Sequence, residues 1–224
     1  MVSQYNTTIN IQFSTFYLLK LGGTVSGQRI AQVKQLFSAK GPILQTSILR
    51  SSGFCTKDIN FLLTEGYITK IKTGYYCWSA SFPDLSGDLI AVSVIPHAVL
   101  SLYSAANIQD LTTVIPDAVY LTVPNKGVLP KVPAFPPIRV FRQTEHLYSL
   151  GIQVLNTHQG LLRVYDRERT VCDFFRSIET VGTDVALEVL KTYMRGSKRI
   201  QTLIEYAAEL GIKARIKPYV EALL

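Results

Sequence analysis

Residues 44–78 constrain this chain most, because two short helical segments and a hairpin follow one another there without a break. Residues 44–50 suit a short positioning helix, and Gly53 stands where the turn after it needs a residue free to take positive φ. Thr56 offers a hydroxyl N-cap, residues 57–65 extend a second helix, and Gly66 stops it. Ile68–Lys72 and Tyr75–Trp78 then flank Thr73-Gly74, a tight hairpin turn. A helix-turn-helix followed by a two-stranded wing places one helix in the DNA major groove and lays the wing beside the backbone. Sequence-specific binding of double-stranded DNA is therefore the first expectation.

Helical spacing sharpens it. On a 3.6-residue wheel Ile59, Leu62 and Leu63 form the packed side, and Lys57, Asn60, Phe61 and Thr64 form the other. Asn pairs bidentately with adenine, Lys reaches guanine or phosphate, and a ring edge meets a thymine methyl. Around this face Gln45, Thr46, Ser47, Arg50, Lys70, Lys72 and Thr73 are the candidates for backbone contacts, and Thr56 is a further DNA-binding candidate. The plainer alternative is a helical pair with a solvated polar face, or a module that docks a protein.

Charge supports the DNA reading. Of the formal +7, residues 1–80 carry +6, from eight basic and two acidic side chains, leaving +1 for residues 81–224. A basic head on a nearly neutral body fits a DNA reader attached to a separate functional unit. A length of 224 residues, 47% hydrophobic, suits two moderate cores. Cys55, Cys77 and Cys172 are scattered, as are His97, His146 and His158, so no metal site and no cofactor is expected. Asp166, Glu168 and Asp173 resemble an acidic site only superficially. The first two suit a helix N-terminus, and Asp173 stands at helical offsets from Arg169 and Arg176, so no catalytic residue is assigned. No apolar run approaches the roughly 18 residues of a membrane span, and the first residues match a signal peptide poorly. A cytoplasmic protein is expected.

The chain divides into an arm or extra helix over residues 1–28, the winged module over 29–80, a linker over 81–88 and a second domain over 89–224. In the second domain residues 95–102 suit a helix with Pro96 in its first turn. Strands are expected over residues 119–123, 138–142, 152–156 and 161–165, the last two paired through the turn at Thr157-His158-Gln159-Gly160. Helices follow from Asp166 onward: one capped by Thr183 and running to Arg195, one ended by Gly211, and a last one interrupted near Pro218. The fold class is α+β: a winged helix-turn-helix, then a small, mostly antiparallel sheet with a C-terminal set of helices.

The block Tyr165-Asp166-Arg167-Glu168-Arg169-Thr170-Val171-Cys172-Asp173-Phe174-Phe175-Arg176, continued by Gly182-Thr183-Asp184-Val185-Ala186-Leu187-Glu188, resembles the AbiEi family. Its members are antitoxins of type IV toxin–antitoxin, abortive-infection systems. Pro116-Asp117-Ala118-Val119-Tyr120-Leu121-Thr122-Val123-Pro124 and the ending Pro218-Tyr219-Val220-Glu221-Ala222-Leu223-Leu224 are similar to further family segments. The resemblance covers about residues 29–224. It implies a winged-helix domain that represses its own operon and a second domain that counters a nucleotidyltransferase-like toxin. Two copies on an inverted repeat are the expected DNA complex. Lys191, Arg195, Lys198, Arg199, Lys213, Arg215 and Lys217 form a second basic set, either a surface for antitoxicity or an ordinary solvated helix face. Neutralisation by direct contact, with the winged domain serving the protein partner, stands as the alternative.

Overall fold

The computed structural model describes residues 27–128 and 131–224. The arm or extra helix expected over residues 1–28 lies outside these, apart from Gly27 and Gln28, which open the first helix.

The N-terminal module runs α1 (Gly27–Lys40), β1 (Ile43–Gln45), α2 (Thr46–Ser51), α3 (Thr56–Thr64), β2 (Ile68–Lys72) and β3 (Tyr75–Trp78). Its sheet has the order β1-β3-β2 with both pairings antiparallel. This is a winged helix-turn-helix. Val33, Phe37, Leu44, Leu49, Phe54, Ile59, Leu62 and Ile68 form its core. Complete burial of a Leu such as Leu49 or Leu62 removes enough apolar surface to contribute about 1.5–3 kcal/mol. The positioning helix is shorter than its spacing predicts. Leu44 and Gln45 are strand, paired with Tyr76 and Tyr75, and the helix begins only at Thr46. So short a segment has little helical stability of its own, and a third strand for the wing outweighs it.

The joint at residues 81–88 is structured rather than a free tether. Ser79–Asp84 form a 3-10 helix, and α4 (Gly87–Val94) starts at an N-cap, Ser86, whose hydroxyl accepts from the Leu89 N–H at 3.2 Å. The Gln159 amide holds this joint to the body: its Nε2 donates to the Asp84 carbonyl and its Oε1 accepts from the Ser86 N–H at 2.9 Å. Ile43, Ile71 and Tyr75 of the winged sheet pack on the hydrophobic cluster of the second domain.

That domain continues with β4 (Val99–Leu100), α5 (Leu102–Ile108), β5 (Val119–Pro124), β6 (Ile138–Gln143), α6 (Glu145–Ser149), β7 (Ile152–Thr157), β8 (Gly160–Tyr165), α7 (Arg167–Arg176), α8 (Ile178–Val181), α9 (Thr183–Arg195), α10 (Ile200–Glu209) and α11 (Lys213–Glu221). The sheet order is β6-β5-β4-β8-β7; pairing is antiparallel at β7–β8 and β4–β5, with parallel pairings added at β4–β8 and β5–β6. The architecture is α+β. α4 packs on one face with Leu100, Leu121, Val123, Leu162 and Val164, while Tyr120 joins the core of α5, α7, α9, α10 and α11.

Three local readings are corrected. Residues 95–102 are not a helix: His97 takes φ 59°, and Val99 and Leu100 form the central strand. A strand buried on both faces is continuously apolar and has no period to separate it from a buried helix. Gly182, at φ 92°, is the N-cap of α9, so Thr183 is its first residue and not its cap. Pro218 does not interrupt α11, where Ile216 and Val220 on either side of it are buried. One glycine is required by a close approach. Gly151, at φ 77°, passes so near α7 that a Cβ there would lie 2.7 Å from the Arg169 Cβ and 3.0 Å from the Asp166 carboxylate.

Candidate nucleic-acid interface

α3 is anchored from its first turn. Its N-cap is Cys55, whose N–H donates to the Asp58 carboxylate at 2.9 Å, a half of the reciprocal capping pattern. Thr56 is thus the first helical residue, not the cap, and its hydroxyl accepts from Arg50 at 3.4 Å across the turn. Arg29 of α1 closes the same corner. Its guanidinium pairs with Asp58 at 2.7 Å, donates to the Gly53 carbonyl at 2.8 Å, and lies 4.7 Å from the centre of the Phe54 ring. Arg29 therefore orients the helix-turn-helix and is withdrawn from the cations offered to a partner.

The Cys55 N–H and the Arg29 guanidinium hold the Asp58 carboxyl below its ordinary value of 3.8 against the opposing effect of burial. A carboxyl lowered in the fold stabilises above its unfolded pKa and loses that contribution as pH falls through 3.8 toward the folded value. Asp58→Ala is accordingly expected to lower stability by about 1 kcal/mol at neutral pH, the usual magnitude for a lost helix-start contact. In thermal melts across pH, the gap between variant and parent should narrow below about pH 4. A gap that stays constant to pH 2 would remove the charge from this account.

Ile59 and Leu62 are buried as the wheel requires, and Leu63 is half-buried. Lys57, Asn60 and Thr64 are exposed, and among the described residues neither the Lys57 ammonium nor the Asn60 amide has a hydrogen-bond partner. Phe61 is half-buried rather than fully presented. The outward face of α3 is thus polar and unoccupied.

The wing lies against the start of α2. The Thr46 N–H donates to the Gly74 carbonyl at 2.8 Å, and the Gln45 amide donates to the Tyr75 hydroxyl at 3.1 Å while accepting from the Ser47 hydroxyl at 3.3 Å. Gln45, Thr46, Ser47, the turn at Thr73 and Tyr75 are therefore one contiguous edge. Tyr75 had no signal in the sequence beyond its register opposite Gln45, which exists only once β1 is known to be a strand. Lys70 and Thr73 are exposed. Lys72 departs from expectation. It is half-buried, its Nζ donates to the backbone carbonyl of Lys131 at 3.1 Å and lies 4.8 Å from the Tyr75 ring centre, and burial pulls its ammonium below the ordinary lysine range. It clamps the wing to the second domain and is not a free phosphate ligand.

The second basic set divides as well. Lys191 and Arg195 lie four residues apart on α9 and are exposed, as is Lys213. The others have internal partners: Lys198 donates to the Met194 carbonyl at 3.1 Å, Arg215 to the Phe175 carbonyl at 3.1 Å, and Lys217 pairs with Glu221 at 3.5 Å. Arg199 binds both Asp166, at 2.9 Å, and Glu168. Asp166 is the N-cap of α7, accepting from the Arg169 N–H at 2.8 Å, and the Tyr193 hydroxyl donates to Glu168 at 2.9 Å. Burial raises the Glu168 carboxyl, but bonds from Arg199 and Tyr193 outweigh it and hold the group below its ordinary value. Asp173 pairs with Arg169 at 2.9 Å as its spacing predicts. Asp166 and Glu168 thus tie α7 to α9 and to the start of α10. Asp166 and Glu168 also bound a cavity of about 310 Å³ together with Gln109, Arg167 and Ser197. Among the described residues no group of three or more His, Cys, Asp or Glu side chains is placed to hold a metal ion, and no helix is long and apolar enough to cross a membrane.

Among solved structures, the chain is similar to the RV2827C protein from Mycobacterium tuberculosis, at 16% identity over 86% of this chain and 78% of that one, with a TM-score of 0.48. No family model matches the sequence, and the comparison with curated proteins finds no match.

Proposed function

We propose that this chain is a DNA-binding antitoxin that represses its own operon, with α3 reading the major groove. The observation that carries the reading is the outward face of α3, where Lys57, Asn60 and Thr64 stand exposed and unpartnered on a helix fixed by the Arg29–Asp58 corner. Lys57, Asn60, Phe61 and Thr64 meet bases; Gln45, Thr46, Ser47, Arg50, Thr56, Lys70 and Thr73 meet phosphates. Lys72 is reassigned from phosphate ligand to wing clamp. Two copies occupy an inverted repeat upstream of the operon, which places the protein in the cytoplasm. No cofactor enters this reading, and no enzyme activity. The resemblance of residues 165–176 and 182–188 to the AbiEi family supports the antitoxin half. The partner in function is a nucleotidyltransferase-like toxin, and the exposed Lys191, Arg195 and Lys213 are the surface offered for its neutralisation.

The test is fluorescence anisotropy on the chain's own upstream DNA and on scrambled DNA across a salt series. Preference for the upstream DNA, with affinity falling steeply in salt, is the expected result. In the same assay Lys70→Gln should weaken binding equally on both DNAs and reduce the salt slope by about one. Absence of preference at every salt concentration would overturn autorepression. The weight would then move to neutralisation by direct protein contact.

A further inference from the structure

We propose that the DNA track continues past the wing onto the second domain, with the Lys131 ammonium supplying a phosphate contact beside the wing tip. This rests on the DNA-binding reading above and extends it to a residue that lies outside the winged module. The positioning is direct: the Lys131 backbone carbonyl accepts from Lys72 at 3.1 Å, and Lys72 is the last residue of β2, next to the turn at Thr73-Gly74. That turn is itself hooked to the first residue of α2 by the bond from Thr46 to Gly74. A duplex lying on α2, α3 and the wing therefore passes next to Lys131.

The arrangement is rigid. Ile71 and Tyr75 of the wing pack on the same hydrophobic cluster as Ile138 and Val140 of β6, so the wing does not swing away from the second domain. Meanwhile Lys72 has turned its ammonium inward, and burial disfavours its charge. The cation missing from the wing is replaced by Lys131, which is exposed and whose ammonium has no partner among the described residues. A lysine whose backbone is held beside the groove-reading unit and whose ammonium is free is the chemistry that a phosphate oxygen recognises, and it contributes to every sequence alike.

Lys131→Gln separates this role from a structural one, because it leaves the carbonyl that holds Lys72 in place. The variant should keep the parent's melting temperature. It should bind upstream and scrambled DNA more weakly by the same factor, and its salt slope should fall by about one. Over the rise from about 50 to 200 mM salt, that is roughly a fourfold smaller loss of affinity than the parent shows. Lys40→Gln, a change of the same charge on α1 outside the proposed face, should leave the slope where it was. A Lys131→Gln variant with the parent's affinity and slope would overturn the extension and leave autorepression standing. A parent chain with no affinity for any DNA at low salt would overturn both.

Discussion

Arg169→Ala is expected to cost about 3–5 kcal/mol of folding stability, the penalty for breaking a buried ion pair by removing one partner. Arg169 is completely buried. Its Nε donates to Asp173 at 2.9 Å, its Nη1 donates to the carbonyls of Leu147 and Leu150, and its guanidinium lies 4.4 Å from the Tyr165 ring centre. Truncation strands a buried carboxylate and two carbonyls and leaves a void where the fully buried guanidinium and its stem lay. Against a typical total of 5–15 kcal/mol, such a loss leaves a marginal protein. Urea denaturation followed by circular dichroism measures it. Arg169→Met combined with Asp173→Leu should recover part of the loss, since an apolar pair of similar volume removes the stranded charge. A single-variant cost under about 1 kcal/mol would show that the guanidinium is not the tie between α7 and the Leu147–Gly151 turn.

Asn60→Ala should remove about 1–3 kcal/mol of discrimination between upstream and scrambled DNA, the value of one bidentate amide–adenine contact. At 1.4 kcal/mol per factor of ten, that is a roughly five- to 150-fold loss of preference. The variant should fold normally, because Asn60 is exposed and the face that packs α3 is carried by Ile59 and Leu62. Affinity for scrambled DNA should stay near the parent value, since the phosphate contacts proposed for Ser47, Arg50 and Lys70 are untouched. This pattern is the opposite of the one expected for Lys70→Gln, which lowers both affinities together. Equal losses on both DNAs from Asn60→Ala would move Asn60 from the bases to the backbone.

Several features of the candidate site were legible without coordinates. The turn glycines Gly53 and Gly66 take φ 88° and 75°, the wing closes at Gly74, and Ile59 and Leu62 are buried while Lys57, Asn60 and Thr64 are not. Each depends on signals within a few residues: a conformation open chiefly to glycine, a 3.6-residue period, or an alternation broken by a turn. The choice of Arg169 over Arg176 as the partner of Asp173 came from the fold, whereas the placing of Asp166 and Glu168 at a helix start is equally local. Cap positions were less so. Cys55 displaced Thr56 because Asp58 reaches back to its N–H, and Gly182 displaced Thr183.

By itself, then, the sequence determined the helix-turn-helix, the hairpins, the α+β class and which side of α3 faces outward, because those follow from neighbours along the chain. Tertiary structure alone decided that Leu44 is a strand residue of the wing and that Val99 and Leu100 are the centre of the second sheet. It also decided which cations remain free: Arg29 is paired with Asp58, Lys72 with the Lys131 carbonyl and Arg199 with Glu168, partners 29, 59 and 31 residues away in the chain. A lysine or arginine is basic wherever it stands in a sequence. Whether its charge reaches solvent depends on the carbonyl or carboxylate that folding brings beside it, and no local pattern encodes that partner.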